Sequence, residues 1–340
     1  MTNSYLEKLN NKLLQEDVSD DYYHACMKYA SRLVSADMPV IFDLKHFSIL
    51  TEIELSKLIC MCESGFETSY HYIRMPKKHG GYREINSPSV QLKKIQRWVL
   101  DNIIDKMHCS NSATGFRKNT SIVVNAKRHL NKKCILNMDL KDFFPSISRQ
   151  DVYRIFRYYG YTWQLSDFFA DLCTINDALP QGAPTSPALS NVRCLKLDKR
   201  ISKLCEKYRA DYSRYADDIT ISSNNNLTSI ITAVSEVIKD EGFTVNEKKT
   251  RVLFTHQKQE ITGLIINGGM LSVPKEYKRK LRQEIYYCKK YGPYNHQKHV
   301  GDSHAFFKDH LYGKAYYIKM VEPEVGNQFL DELDEIKWDY

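Results

Sequence analysis

Two adjacent aspartates, Asp217 and Asp218, interrupt "SRYADDITIS" (213–222), between runs that read as β-strand. Carboxylates in a half-buried strand pair are costly unless a cation meets them, and side by side they raise each other's pKa. Mg²⁺ fits such a pair, because it takes hard oxygen ligands and shares its octahedral shell with phosphates. Holding two ions needs a third carboxylate. Asp139, in the apolar run "CILNMDL" (134–140), is placed to give it if the strands are neighbours. Two ions roughly 4 Å apart perform in-line phosphoryl transfer, one activating the attacking hydroxyl and the other steadying triphosphate and pyrophosphate. An Asp-Asp pair on its own reads as an Asx-type turn in a hairpin. The metal reading therefore depends on what the rest of the chain supplies.

Such carboxylates need a rigid sheet beneath them. Residues 134–140 fit a buried strand, and residues 210–222 read as strand, turn, strand. Residues 149–175 look helical. The three-proline loop "LPQGAPTSP" (179–187) opens a helix from about 186 to 207, capped by Thr185 or Ser186. An amphipathic helix over 227–241 and short strands over 243–273 complete a β-α-α-β-β-α-β middle. That order predicts an α+β layer, an antiparallel sheet backed by helices. Before it come helices over 1–70, a β-hairpin over 71–86 around Gly80-Gly81, and a helix over 89–107. Residues 274–340 read as largely helical.

The charge pattern points to a polyanion. The 340 residues carry a formal net charge of +8, with the 42% hydrophobic and 26% charged content of a soluble globular protein. One basic block includes Arg74, Lys77, Lys78, Arg83 and Arg97, and another Lys275, Lys278, Arg279, Lys280 and Arg282. Together they could wall one groove around the acidic centre, although each alone also reads as a solvated helix face. The last twenty residues are acidic, with Glu322, Glu324, Glu335 and Asp339 among them. That tail could pack on the chain's own basic surface or dock a partner protein. The nine cysteines lack zinc-site spacing, and no apolar run approaches the ~18 residues of a membrane helix. We expect a cytoplasmic protein with reduced thiols and no membrane association.

The motifs also carry a family resemblance. "YADD" (215–218) resembles the catalytic motif of reverse transcriptases, "NMDLKDFFPSI" (137–147) their first aspartate motif, and "LPQGAPTSPALSN" (179–191) their nucleotide-pocket motif. They occur in the family's order, over about residues 70 to 270. The resemblance implies a right-hand polymerase: an N-terminal helical region (1–70), fingers (71–133), a palm (134–273, with part of the fingers interleaved at 149–178) and a helical basic thumb (274–340). It implies Asp139, Asp217 and Asp218 as catalytic carboxylates holding two Mg²⁺ with the Leu140 carbonyl. Phe144 would lie under the sugar of the incoming nucleotide and exclude a 2′-OH, with Phe143 or Phe144 also serving the core. Gln181 and Gly182 would line the dNTP pocket, Lys77 or Lys78 with Arg83 would clamp the triphosphate, and Lys248 or Lys249 of "NEKKT" would lie near the phosphates. Tyr215 would sit close to the primer end.

Two shorter stretches resemble retron reverse transcriptases. "NAKRH" (125–129) is similar to their Asn-Ala-x-x-His motif, and "ITGLII" (261–266) to their Val-Thr-Gly motif, with Ile261 for valine. This implies RNA or primer contacts from Asn125, His129, Thr262 and Gly263, joined by Lys275, Lys278, Arg279 and Arg282 of the thumb. It implies a cognate structured non-coding RNA, priming from a guanosine 2′-OH, a branched RNA–DNA product, and antiphage defence with an effector protein. Another bacterial lineage, such as a group II intron type, or a catalytically silent RNA-binding scaffold, would share part of this pattern.

Overall fold

The computed structural model describes residues 2–76, 80–299, 301 and 306–338. Lys77 and Lys78, expected at the triphosphate clamp, lie outside those residues. The chain forms two compact units, one of residues 1–111, 141–199 and 238–244, the other of residues 112–140, 200–237 and 245–340.

The first unit is mainly helical, and its helix starts follow local chemistry. Ser19, Ser89 and Thr162 each accept a backbone N–H in the first turn of the helices Asp20–Ser35, Val90–Asn102 and Trp163–Cys173. Ser148 and Asp151 form a reciprocal capping box at Arg149–Tyr159, which ends at Gly160 with φ 110°. Phe47 centres the core, edge-on to Trp98, Phe168 and Phe169 at 5.4–5.5 Å between ring centroids. Strands β1 (Tyr70–Pro76) and β2 (Tyr82–Pro88) pair antiparallel from Tyr70↔Pro88 to Pro76↔Tyr82. Apart from Tyr70 and Pro88 at its base, neither strand is buried. The helix expected over 186–207 is two, Ser186–Arg193 and Leu195–Lys207, because the chain bends at Cys194 (φ −80°, ψ 0°).

The second unit is built on a sheet of β3 (Cys134–Lys141), β4 (Asp211–Tyr215), β5 (Asp218–Ser223), β6 (Thr244–Val245) and β7 (Arg251–Phe254). The order is β4-β5-β3-β6, with β7 also paired to β3. β3 is buried from Cys134 to Leu140 except at Asn137, as a strand with neighbours on both edges must be. A small hairpin, β8 (Glu260–Ile261) with β9 (Leu264–Ile265), joins a core shared with the helices Lys275–Tyr291, Phe307–Val321 and Pro323–Asp334. Leu281, Ile285, Leu311, Ile318, Phe329 and Leu333 fill it.

The acidic tail folds onto this unit's own basic helix. Glu322 accepts Lys278 Nζ at 2.7 and 2.9 Å and the Val273 N–H at 2.7 Å, and Glu335 meets Lys289 at 2.6 Å. Of the two uses open for the tail in the sequence, packing on the chain's own basic surface is the one seen. The Lys278–Glu322 pair is largely buried, so removing either partner would strand the other's charge.

Candidate active site

Asp139 lies directly opposite Asp218 across β3 and β5, and Tyr215↔Asp218 closes the β4–β5 hairpin. Ala216 and Asp217 form its turn. Ala216 is left-handed (φ 58°), a conformation costing a non-glycine residue roughly 1 kcal/mol. Buried Arg214 holds it there, Nη1 donating to the Ala216 carbonyl at 3.0 Å. The Leu140 N–H donates to the Asp217 carbonyl at 3.0 Å, tying the turn to β3. The sheet thus brings the three sequence-predicted acids to one end of adjacent strands.

Asp139 and Asp218 carry the contacts that shape the site's charge. Asp139 is buried, and its two oxygens take Asn246 Nδ2 (3.0 Å) and Lys249 Nζ (2.7 Å). The Asn246 N–H also donates to the Asp139 carbonyl at 2.8 Å. The Asp218 carboxyl is pushed up to about 6, first by burial and then by the charges of Asp217 and Asp139, while Lys249 opposes the rise. Its outer edge is exposed, so water screens part of the repulsion. The hydrogen bond to Asp139, with the other two acids nearby, raises the Lys249 pKa. Lys249, not Lys248, is therefore the lysine that reaches the acids. In the 3₁₀ turn Glu247–Lys249 successive side chains diverge by about 120°, so only one of the pair can face Asp139.

This donor set fits Mg²⁺: three hard carboxylates, two from paired strands and one from the adjoining turn, with Lys249 beside them. Among the described residues no three His, Cys, Asp or Glu side chains enclose an ion as they lie. Lys249 and Asn246 hold the Asp139 oxygens, and Lys249 must release Oδ2 for Asp139 to ligate through it.

The expected nucleotide loop lies in the first unit. The Asn86 N–H of β2 donates to the Gln181 carbonyl at 2.6 Å. Gly182 has φ +127°, and a Cβ there would stand 2.5 Å from the Asn86 carbonyl oxygen, so only glycine fits. Arg83 is exposed on β2, opposite Met75. Phe143 is the buried member of its pair, packed on Phe243 at 5.9 Å, and Phe144 remains half-buried beside it.

The family profile described as reverse transcriptase (RNA-dependent DNA polymerase) matches residues 75–266, more than half of the chain. This chain belongs to the reverse transcriptases. The retron Ec86 reverse transcriptase of Escherichia coli is 34% identical over 260 residues, covering 75% of this chain and 81% of that one. The retron Mx162 reverse transcriptase of Myxococcus xanthus is 34% identical over 308 residues, covering 80% of this chain and 62% of the relative. The retron Ec73 reverse transcriptase of Escherichia coli is 31% identical over 283 residues, 77% of this chain and 86% of that one. The match thus spans less than two thirds of the Mx162 protein. Within the family the chain is of retron type. No helix of the described residues is long and apolar enough to cross a membrane.

In this retron-type reverse transcriptase the residues expected to touch RNA divide into two groups. Lys275, Arg279 and Arg282 are exposed on the helix Lys275–Tyr291, and Gly263 is exposed beside half-buried Thr262. Tyr215 is half-buried, its ring 6.3 Å from that of Phe116. Lys278 is instead committed to Glu322 inside the unit, which removes it from the phosphate-facing set. Asn125 and His129 are 1% and 0% exposed, so as placed neither can reach a bound RNA. Their expected role as RNA contacts is corrected by burial: Asn125, in the helix Ile122–Lys127, and His129, in the turn that follows it, face inward onto β4 and β5.

His129 makes a measurable prediction. Burial lowers its pKa from 6.5 to about 4. Between those values the unfolded chain binds a proton that the folded chain refuses, so stability falls as pH drops from about 6.5 toward 4. The loss is on the order of 3 kcal/mol at full extent. Urea midpoints of wild type and His129→Gln across this window check it: the variant should show the flatter profile.

Proposed function

We propose that the chain is an RNA-directed DNA polymerase that copies a cognate structured non-coding RNA into single-stranded DNA, primed from a guanosine 2′-OH. The product is DNA branched from RNA (msDNA). The observation that carries the polymerase reading is the Asp139–Asp218 pairing with Asp217 in the adjoining turn, inside a chain whose relatives are retron reverse transcriptases.

In this reading Asp139, Asp217 and Asp218 hold two Mg²⁺, with the Leu140 carbonyl completing a shell. Bound Mg²⁺ supplies activation of the attacking hydroxyl and neutralisation of the phosphates. The turn, pinned by Arg214 and Leu140, fixes Asp217 before substrate arrives, so little reorganisation is left for the reaction. Asn246 holds the Asp139 carboxylate in one orientation. Lys249, beside the acids, is a cation available to the triphosphate once it releases Asp139. Gln181 and Gly182 line the nucleotide pocket, with Lys77, Lys78 and Arg83 of the hairpin on the triphosphate. Lys275, Arg279 and Arg282 hold template–primer phosphates, and Tyr215 and Gly263 approach the primer. The enzyme works in the cytoplasm, in antiphage defence, with an effector protein as partner.

Sequencing of the nucleic acid that copurifies with the protein tests the branched product. DNA that separates from RNA only after debranching is the expected result. DNA extended from an ordinary 3′-OH would assign the chain to another priming mode. Phe144 tests the sugar gate. Because Phe143 already serves the core, Phe144→Ala should leave folding intact and raise ribonucleotide incorporation roughly ten- to a hundredfold relative to dNTPs. An unchanged ratio in single-nucleotide extension would place the gate elsewhere.

A further inference from the structure

The buried residues of "NAKRH" form a hydrogen-bonded network with hydroxyls of the sheet that sets the histidine's tautomer. Each hydroxyl carries one proton. Ser213 Oγ donates to Asn125 Oδ1 at 2.6 Å, so it can only accept at its 2.7 Å contact with His129 Nε2. Nε2 therefore carries the ring proton of the neutral imidazole. Nδ1 is then an acceptor, and Ser222 Oγ donates to it at 2.7 Å. Thr114 Oγ1 lies 2.8 Å from the same Asn125 Oδ1 and 3.1 Å from the Arg214 carbonyl, so its one proton is shared between the two acceptors. All five residues are at most 1% exposed. A buried network whose members are all hydrogen-bonded fixes geometry as well as contributing energy.

That geometry lies directly behind the catalytic turn. Strand alternation puts Ser213, Tyr215, Asp218 and Ser222 on one face of the β4–β5 hairpin. His129 bridges Ser213 and Ser222 on that face, locking the two strands' register. Thr114 lies in a short segment running parallel to β4: its N–H donates to the Arg214 carbonyl (2.8 Å), and the Arg214 N–H donates to the Ser112 carbonyl (2.8 Å). The next residue, Gly115, packs so closely that a Cβ would stand 2.8 Å from the Ala216 nitrogen. Arg214 itself holds the Ala216 carbonyl. Displacing Asn125 therefore disturbs both supports of the Ala216–Asp217 turn, β4 through Ser213 and the 112–116 segment through Thr114.

We propose that Asn125 and His129 are positioning residues for the catalytic hairpin, acting through Ser213, Ser222 and Thr114, and that they do not contact RNA. This rests on the polymerase reading. RNA recognition and positioning make opposite forecasts on a template without structure, so the test uses poly(rA)·oligo(dT) with dTTP and Mg²⁺.

Asn125→Ala and Ser213→Ala are each expected to lower kcat about tenfold or more, with KM for template–primer within about twofold of wild type. The double variant should be scarcely worse than either single, because both remove one shared contact. His129→Gln, whose amide N–H can replace Nε2–H toward Ser213, should recover part of the kcat lost in His129→Ala. Wild-type kcat in Asn125→Ala, or losses that multiply in the double, would overturn the proposal. Should Asn125→Ala lose its cooperative melting transition, Ser222→Ala takes its place. It removes only the Nδ1 contact and should still lower kcat severalfold; an unchanged kcat there also overturns the proposal. A wild-type protein inert on this template would instead sink the polymerase reading. The network would then still be tested by whether Asn125→Ala and Ser213→Ala shift the urea midpoint non-additively.

Discussion

Asp217→Asn and Asp218→Asn are each expected to lower primer extension with dNTPs and Mg²⁺ by roughly a thousandfold or more, about 4 kcal/mol of transition-state stabilisation. The effect on the fold should run the other way for Asp218. Its carboxyl titrates near 6 in the folded protein, above the ordinary 3.8, because burial and the charges of Asp217 and Asp139 disfavour ionisation. A carboxyl with a raised folded pKa contributes stability at low pH that is lost as pH rises through that pKa. Above pH 6 the folded chain therefore carries Asp218 as a penalty, which the amide removes. Asp218→Asn should melt at or slightly above the wild-type temperature while losing activity, a separation that poor folding cannot produce. Extension assays and melting curves on the same preparations decide it. Retained activity in both variants would remove these acids from catalysis.

What was legible in the sequence, and what was not, follows from how each residue is positioned. Asp139 was readable because it sits in an apolar run whose burial dictates a central strand, and Asp217 and Asp218 because two strand-like runs flank them. The distant partners of these acids were not. Asn246 is a polar residue in a short turn with no periodicity to mark its direction, yet it makes two hydrogen bonds to Asp139. Arg214, in a strand-like run with nothing local to mark its partner, is a fully buried clamp on the turn. The segment 112–116 carried no strand signal, because its pairing to β4 is a single bridge.

"NAKRH" is visible by resemblance, but the direction its side chains face is not legible in the sequence, for a physical reason. A six-residue helix has too few turns for a polar or apolar stripe to declare its inward face. Polar residues there default to solvent, and the partners that make burial tolerable include Ser213 and Ser222, more than eighty positions away. The expected single helix over 186–207 failed differently. Neither proline nor glycine interrupts it near Cys194, so nothing in the sequence marks the bend.

Gly326→Ala and Gly313→Ala, the same substitution twice in the proposed thumb, should have effects of opposite sign. Gly326 lies in Pro323–Asp334 where that helix crosses Phe307–Val321, and a Cβ there would stand 2.2 Å from Lys319 Cα and 2.3 Å from Lys319 N. Those are backbone atoms, so no rotamer change relieves the clash and the helices must separate. Glu322, at the elbow between them, would be drawn from Lys278 and Val273, and Phe329 and Leu333 from their shared core. We expect a loss of about 3 kcal/mol or more for Gly326→Ala. Gly313 is exposed in mid-helix with nothing within 4 Å of its added Cβ, so Gly313→Ala should instead stabilise by about 0.5–1 kcal/mol. Urea midpoints read both. The same pair tests the thumb's task, because a helix pair that no longer holds Lys275, Arg279 and Arg282 in place should bind template–primer more weakly. Gly326→Ala should therefore raise the apparent Kd and flatten its salt dependence, while Gly313→Ala leaves both as in wild type. Equal binding by the two variants would mean that duplex affinity does not depend on this helix packing.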